Sequence, residues 1–158
     1  MRSDDERFLE EAFALAREGM ADGRGGPFGA VVVQGGAIVA RGNNRVVRDG
    51  DPTAHAEVVA IREACLALGT HVLDGCVLYS SCEPCPMCLA AGYWSRIGRV
   101  VYAATHADAA AAGFDDTLIY GQIVLAPGER SLRMEQKLRT EGVRLFDEWL
   151  ANPERVPY

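Results

Sequence analysis

The sequence lacks several features that would indicate particular classes of protein. No apolar run approaches the ~18 residues of a bilayer-spanning helix, so a membrane protein is not expected. Positive charge is also in deficit: 16 Lys and Arg residues face 22 Asp and Glu residues, and the net charge is −6. This negative field disfavours a nucleic-acid partner and favours a small or uncharged ligand. The first six residues are too acidic and polar for a secretory signal, so we expect a cytoplasmic protein.

The cysteines do not form the even set of a disulfide framework. There are five: Cys65, Cys76, Cys82, Cys85 and Cys88. An odd number without a secretory signal favours free thiols in a reducing compartment. Because three of them lie within seven residues, 82–88, that segment indicates metal or redox chemistry.

The apolar pattern predicts one domain across the 158 residues, without internal repeats or linkers. Periodicity predicts helices over residues 4–22, 55–68 and 85–95, and a last helix capped by Thr140. Strands are predicted at 27–33, 37–42, 77–80 and 100–103, with Gly35-Gly36 as a hairpin turn. Weak alternation of apolar residues over 132–138 predicts a short edge strand. This order predicts an α/β fold: a three-layer α/β/α sandwich whose mixed sheet has about five strands.

Three residues of this pattern have the chemistry of zinc ligands. His55 opens the second predicted helix, and Cys85 and Cys88 share the first turn of the third. Helices that follow strands begin at the same sheet edge, so these two openings can converge. The amides and dipole at a helix N-terminus favour thiolates. One imidazole and two thiolates would hold Zn²⁺ and leave its fourth position open to water.

Glu57 follows His55 by two residues, so it reaches the same site only if His55 precedes the regular helix. From there its carboxylate could take a proton from a zinc-bound water of lowered pKa. The resulting hydroxide could attack an electron-poor, amino-bearing ring carbon, and proton delivery to the amine would complete a deamination. His-x-Glu followed by Pro-Cys-x-x-Cys is the signature of zinc-dependent base deaminases.

Two other interpretations of the cysteines stay open from the sequence. The spacing of Cys82, Cys85 and Cys88 resembles the start of a ferredoxin cluster motif, but Gly92 occupies the fourth cysteine position. Alternatively, Cys82 could complete a closed structural zinc site without catalysis, as in a binding module.

Four blocks of the chain resemble the cytidine deaminase-like superfamily, and within it the small bacterial guanine deaminases. The blocks are residues 26–31, 51–57, 81–88 and 108–116, of which the last, with Phe114-Asp115-Asp116, is typical of the guanine deaminase branch. The resemblance implies zinc on His55, Cys85 and Cys88, Glu57 as the main proton shuttle, and Asp116 as a second catalytic carboxylate. It further implies purine contacts through Phe28, Asn44, the Ala56 amide, Trp94 and Tyr158. In that branch the C-terminal segment is exchanged within a homodimer, so that Tyr158 would close the neighbouring subunit's site.

The resemblance therefore implies hydrolysis of guanine to xanthine and ammonia. Deamination of cytosine or an amino-triazine is an alternative, because a few hydrogen bonds decide between rings. Editing of tRNA adenosine is disfavoured, since residues 129–158 carry six basic and six acidic residues and form no basic run.

Overall fold

A computed structural model describes residues 3–158 of the chain. Within this range the chain divides into two compact units, residues 3–117 and residues 118–158. The first unit contains α1 (Asp4–Met20), β1 (Gly29–Gln34), β2 (Ala37–Asn43), α2 (Val46–Asp49), α3 (Ala56–Leu68), β3 (Cys76–Cys82), α4 (Pro86–Trp94), β4 (Arg99–Ala104) and α5 (His106–Ala111). Helix α6 (Thr117–Ile123) begins at the boundary between the units, and the second unit continues with a 3₁₀ turn (Pro127–Glu129) and α7 (Arg139–Ala151).

The four strands of the first unit form one mixed sheet in the order β2-β1-β3-β4. Strand β1 pairs antiparallel with both β2 and β3, whereas β3 and β4 are parallel. The β1–β2 hairpin turns at Gly35 and Gly36, whose φ angles of 57° and 80° suit glycine and confirm the predicted turn.

Alternation along β1 divides the core between the two faces of the sheet. Ala30 and Val32 pack in a cluster with α3 residues such as Ala60. Val31 and Val33 pack in a second cluster with Phe8 of α1. Since side chains of a strand alternate between faces, β1 is buried on both sides and the predicted three-layer arrangement is confirmed.

The sheet has four strands among the described residues, so the prediction of about five was wrong. The missing strand is the one expected over residues 132–138, a segment that forms no helix or strand. Its apolar side chains Leu132, Met134 and Leu138 are all exposed. Without a buried face or a partner ladder, alternation alone does not stabilise a strand.

The start of the last helix also differs from the prediction. The residue preceding α7 is Leu138, which has a left-handed backbone (φ 51°, ψ 41°) and gives no side-chain cap. Thr140 therefore lies inside α7 and does not cap it. None of the helices within residues 3–158 combines the length and apolar character that a bilayer-spanning segment requires.

Candidate metal and catalytic centre

His55 and Cys85 occupy equivalent positions at the starts of two helices. His55 precedes α3 with an extended backbone (φ −69°, ψ 153°), and Cys85 precedes α4 in a similar conformation (φ −62°, ψ 168°). Pro86 is the first residue of α4, where its lack of an N–H group costs no helical hydrogen bond. Glu57 can reach the same site only if His55 lies outside the regular helix, and the structure confirms this placement.

The three predicted ligand atoms converge on one point. The Sγ atoms of Cys85 and Cys88 each lie 3.5 Å from His55 Nδ1, and the two sulfurs are 3.5 Å apart. Tetrahedral zinc with ordinary Zn–S and Zn–N bonds separates such donors by about 3.5–3.8 Å. Within residues 3–158 these three side chains are the one cluster of His, Cys, Asp or Glu that could hold a metal ion. The donor set therefore fits zinc in both chemistry and spacing.

The environment of Cys85 favours the thiolate that a metal requires. Hydrogen bonding with the Cys88 sulfur, together with the nearby His55, lowers the pKa of Cys85 to about 4 against the opposing effect of burial. The hydrogen bond with Cys85 in turn raises the pKa of His55. The thiolate of Cys85, which these contacts favour, is the form of cysteine that binds a metal ion.

Glu57 lies beside this cluster but is not one of its donors. Its side chain is 4% exposed, and burial raises the pKa of its carboxyl group. Ser80 Oγ donates to Oε1 at 3.0 Å, and Cys88 Sγ donates to Oε2 at 3.4 Å. A buried carboxylate of raised pKa next to a metal site is suited to accept and release a proton.

Cys82 does not join the donor cluster, which argues against both alternative interpretations of the cysteines. Its Sγ lies 3.5 Å from the carbonyl oxygen of Thr105, and burial raises the pKa of its thiol to about 11. The cluster therefore offers three protein ligands, the number typical of catalytic zinc, and lacks the fourth that a structural zinc or an iron–sulfur site needs.

Three of the predicted substrate contacts lie in the first unit, each at an end of a helix or strand: Phe28, Asn44 and Ala56. Phe28 immediately precedes β1, and its ring meets Phe114 edge-on, with centroids 4.9 Å apart. Asn44 Oδ1 accepts from the amides of Gly26 and Val46, so its Nδ2 group is the end that can donate to a ligand. Ala56 is the first residue of α3, where its amide has no carbonyl partner within the helix.

The remaining predicted site residues are Asp116, Trp94 and Tyr158. Asp116 precedes α6, and its Oδ1 is buried without a hydrogen-bond partner. Trp94 ends α4 and is 70% exposed; it lies six residues, about 9 Å along the helix axis, from Cys88. Tyr158 belongs to the second unit and is also exposed. The roles of Trp94 and Tyr158 in substrate binding therefore stay predictions.

Two residues next to the site were given no function from the sequence alone. Phe114 lies against Phe28, and Ser80 binds Glu57. A signal for Ser80 was present, because strand alternation places it on the same face of β3 as Leu78, a core residue packed with α3. A polar residue on that buried face needs a hydrogen-bonding partner.

Comparisons with known proteins agree with this geometry. The family model for the cytidine and deoxycytidylate deaminase zinc-binding region matches residues 2–104. The guanine deaminase of Bacillus subtilis is 56% identical over 144 residues, covering 91% of this chain and 92% of that protein. The X-ray structure of guanine deaminase from Bacillus subtilis superposes with a TM-score of 0.95 at 52% identity, covering 100% of this chain and 99% of that one.

A tRNA-specific adenosine deaminase of Aquifex aeolicus is similar over a shorter stretch. It is 44% identical over 99 residues, or 63% of this chain and 65% of that protein. The match to the family model, together with the similarity over nearly the whole chain, confirms the resemblance seen in the sequence. The chain belongs to the cytidine and deoxycytidylate deaminase zinc-binding family, and its cofactor is zinc.

Proposed function

We propose that this protein is a guanine deaminase that hydrolyses guanine to xanthine and ammonia, with zinc held by His55, Cys85 and Cys88. The observation that carries the choice of substrate is the extent of the similarity. The guanine deaminase relative matches 91% of the chain, whereas the tRNA-specific adenosine deaminase matches 63%. The solved structures favour the same choice by degree of similarity: the TM-score is 0.95 with guanine deaminase from Bacillus subtilis and 0.63 with a structure from a study of tRNA:A34 deaminases.

Glu57 serves as the proton carrier of this reaction. When bound, zinc supplies a water molecule whose pKa is lowered to about 7, and hence a nucleophile at neutral pH. Glu57 would accept the proton that the attacking water loses and would donate it to the amino group as the C–N bond breaks. The ring carbon gains the water oxygen and loses ammonia, so no oxidant or reductant is needed. Burial of Glu57 keeps bulk water from competing for the proton.

Asp116 is proposed as the second carboxylate of the site. Its buried Oδ1 has no hydrogen-bond partner, and a buried acceptor of this kind costs stability unless a ligand satisfies it. The amino hydrogens of guanine would do so, and they would place the leaving group beside the carboxylate. The contact of neighbouring Phe114 with Phe28 supports a common location for these two segments.

The remaining proposed substrate contacts divide between stacking and edge recognition. Phe28 and Trp94 would contact the purine face, and an aromatic–base stack contributes about 1–3 kcal/mol. Asn44 Nδ2 and the Ala56 amide would donate to acceptors on the ring edge. Tyr158 would close the substrate site that these groups form.

We further propose a homodimer in which the C-terminal segment is exchanged, so that Tyr158 closes the site of the neighbouring subunit. The second unit contains no buried residue among residues 118–158, although α7 carries large apolar side chains such as Phe146 and Trp149. Apolar surface of this kind is typical of an interface. We also infer a cytoplasmic location, where reducing conditions would keep Cys85 and Cys88 free to bind metal.

An ammonia-release screen tests the proposed substrate. The purified protein would be assayed with guanine, adenine, cytosine, their nucleosides, amino-triazines and tRNA, each in the presence of zinc. We expect the highest kcat/KM with guanine, with one xanthine formed per ammonia. A higher kcat/KM with cytosine, a triazine or tRNA would reassign the substrate, and release from none would refute the proposal.

The variant Glu57→Gln is the matched control for this screen, because it preserves shape but cannot carry a proton. We expect about a 10²–10⁴-fold loss of kcat with guanine, while zinc content stays at that of the unmodified protein. Unchanged turnover by this variant would remove Glu57 from the mechanism.

A further inference from the structure

Ser80 is a polar residue in the most buried part of the sheet. It lies in β3 between β1 and β4, and its exposed fraction is 0%. Its side chain points toward the face covered by α3, and there its hydroxyl lies 3.0 Å from Oε1 of Glu57. The contact joins residues 23 positions apart in the sequence. It therefore ties the carboxylate on the first turn of α3 to the centre of the sheet.

The backbone around Ser80 sets the direction of this hydrogen bond. The amide of Cys82 donates to Ser80 Oγ at 3.4 Å, which occupies an acceptor position of the hydroxyl. A serine hydroxyl has a single proton, and the nearby carboxylate oxygen is the acceptor for it. The chain of donors thus runs from Cys82 through Ser80 to Glu57.

The other side-chain donor to Glu57 depends on the state of the metal site. Cys88 Sγ donates to Oε2 at 3.4 Å only while the sulfur carries its proton. A cysteine that ligates zinc does so as a thiolate and has no proton to donate. Among the side-chain contacts found within residues 3–158, the Ser80 hydroxyl is then the donor that remains on Glu57.

We propose that Ser80 is a positioning residue, which holds Glu57 by Oε1 so that Oε2 faces the reacting atoms. The proposal rests on the proposed function, in which Glu57 carries the proton. It assigns to Ser80 no direct contact with substrate or metal. Without the hydroxyl, the carboxylate can rotate about its last bonds, and fewer molecules present Oε2 correctly at any moment.

The variant Ser80→Ala tests this role in the full-length, zinc-loaded protein. We expect kcat with guanine to fall roughly 10- to 100-fold, because small misplacements of a catalytic group are costly. KM should change less than about 3-fold, since Ser80 does not touch the substrate. Ser80→Thr, which restores a hydroxyl, should recover most of the lost kcat. Wild-type kcat in Ser80→Ala would overturn the proposal.

Ser81→Ala is the matched control, because Ser81 is the next residue of the same strand and is also buried. Its hydroxyl accepts from the amide of Gly29 and does not reach Glu57. We expect this control to keep kcat within about 3-fold of wild type. Equal losses of kcat in Ser80→Ala and Ser81→Ala would mean that both act through the strand, which would overturn the specific role of Ser80.

Two further measurements separate this proposal from the proposed function. A crystal structure of Ser80→Ala should show one zinc per chain and a Glu57 carboxylate that has left its position, whereas Ser81→Ala should show it in place. An unmoved carboxylate in Ser80→Ala would overturn the proposal. Adding Ser80→Ala to Glu57→Gln should not lower kcat further, and a full additional loss would contradict action through Glu57. If Glu57→Gln alone retains wild-type kcat, the proton-carrier role of Glu57 in the proposed function fails, whatever the result for Ser80→Ala.

Discussion

The two units of the chain differ in what their own residues can stabilise. Residues 3–117 contain a sheet whose strand β1 is buried on both faces, and all buried residues of the described chain lie in this unit. Residues 118–158 form helices with no buried residue. The first unit thus has its own core, whereas the second carries apolar side chains on α7, such as Phe146, that are exposed.

This difference also divides the chemistry of the protein. The proposed zinc ligands, Glu57 and Asp116 all lie in the first unit, on segments fixed by the sheet and its helices. Of the proposed site residues, Tyr158 alone lies in the second unit. We therefore expect substitutions in the first unit to change catalysis or intrinsic stability, and substitutions in the second to change assembly.

The largest effect is expected at Asp116, at the end of the first unit. Asp116→Asn should lower kcat by about 10²–10⁴-fold, because the amide cannot provide the charge of the second carboxylate. The neighbouring Asp115 is the matched control: its Oδ1 accepts from the amide of Thr117 at 2.9 Å, a cap that asparagine can also provide. Steady-state kinetics with guanine measures both variants. Equal activity of the Asp116 and Asp115 variants would mean that Asp116 is an ordinary turn residue without a catalytic role.

A pair of leucines compares the two units directly by stability. Leu78 in β3 is 1% exposed, whereas Leu145 in α7 is 65% exposed. Leu78→Ala should lower the free energy of unfolding by about 2–5 kcal/mol, because it leaves a cavity in the core. Leu145→Ala should instead weaken the proposed dimer, so that its unfolding midpoint falls most at low protein concentration.

Denaturant unfolding at two protein concentrations, with sedimentation analysis of the oligomer, checks this comparison. Leu145→Ala could lower the free energy of unfolding as much as Leu78→Ala does, independently of protein concentration. This result would contradict the proposed difference between the two units. It would show that α7 is buried within its own chain.

The first unit could be predicted well because its elements are determined by nearby residues and by one shared core. Gly35-Gly36 fixes the hairpin, and Gly69 ends α3 with a left-handed backbone (φ 65°), the conformation typical of glycine at a helix end. The site was predictable for the same reason. The chemistry of His55, Cys85 and Cys88 admits few arrangements, and the helix starts bring them together.

The second unit was predicted less well, because the local pattern of apolar residues does not show which surface packs against them. The alternation at 132–138 suggested a strand that is not formed, and Leu138 precedes α7 where Thr140 was expected to cap it. Within the site, the role of Ser80 was not predicted, because its contact with Glu57 joins distant segments and belongs to no sequence motif of the site. The Asp116 environment likewise depends on tertiary packing.

The measurement that tests the account most directly is X-ray absorption at the zinc edge, combined with metal analysis of the purified protein and of His55→Ala. We expect one zinc per chain with two sulfur ligands at about 2.3 Å and two nitrogen or oxygen ligands at about 2.0 Å. His55→Ala should lose most of the metal. A shell with three or four sulfurs, or a metal content that does not depend on His55, would contradict an open catalytic centre formed by His55, Cys85 and Cys88.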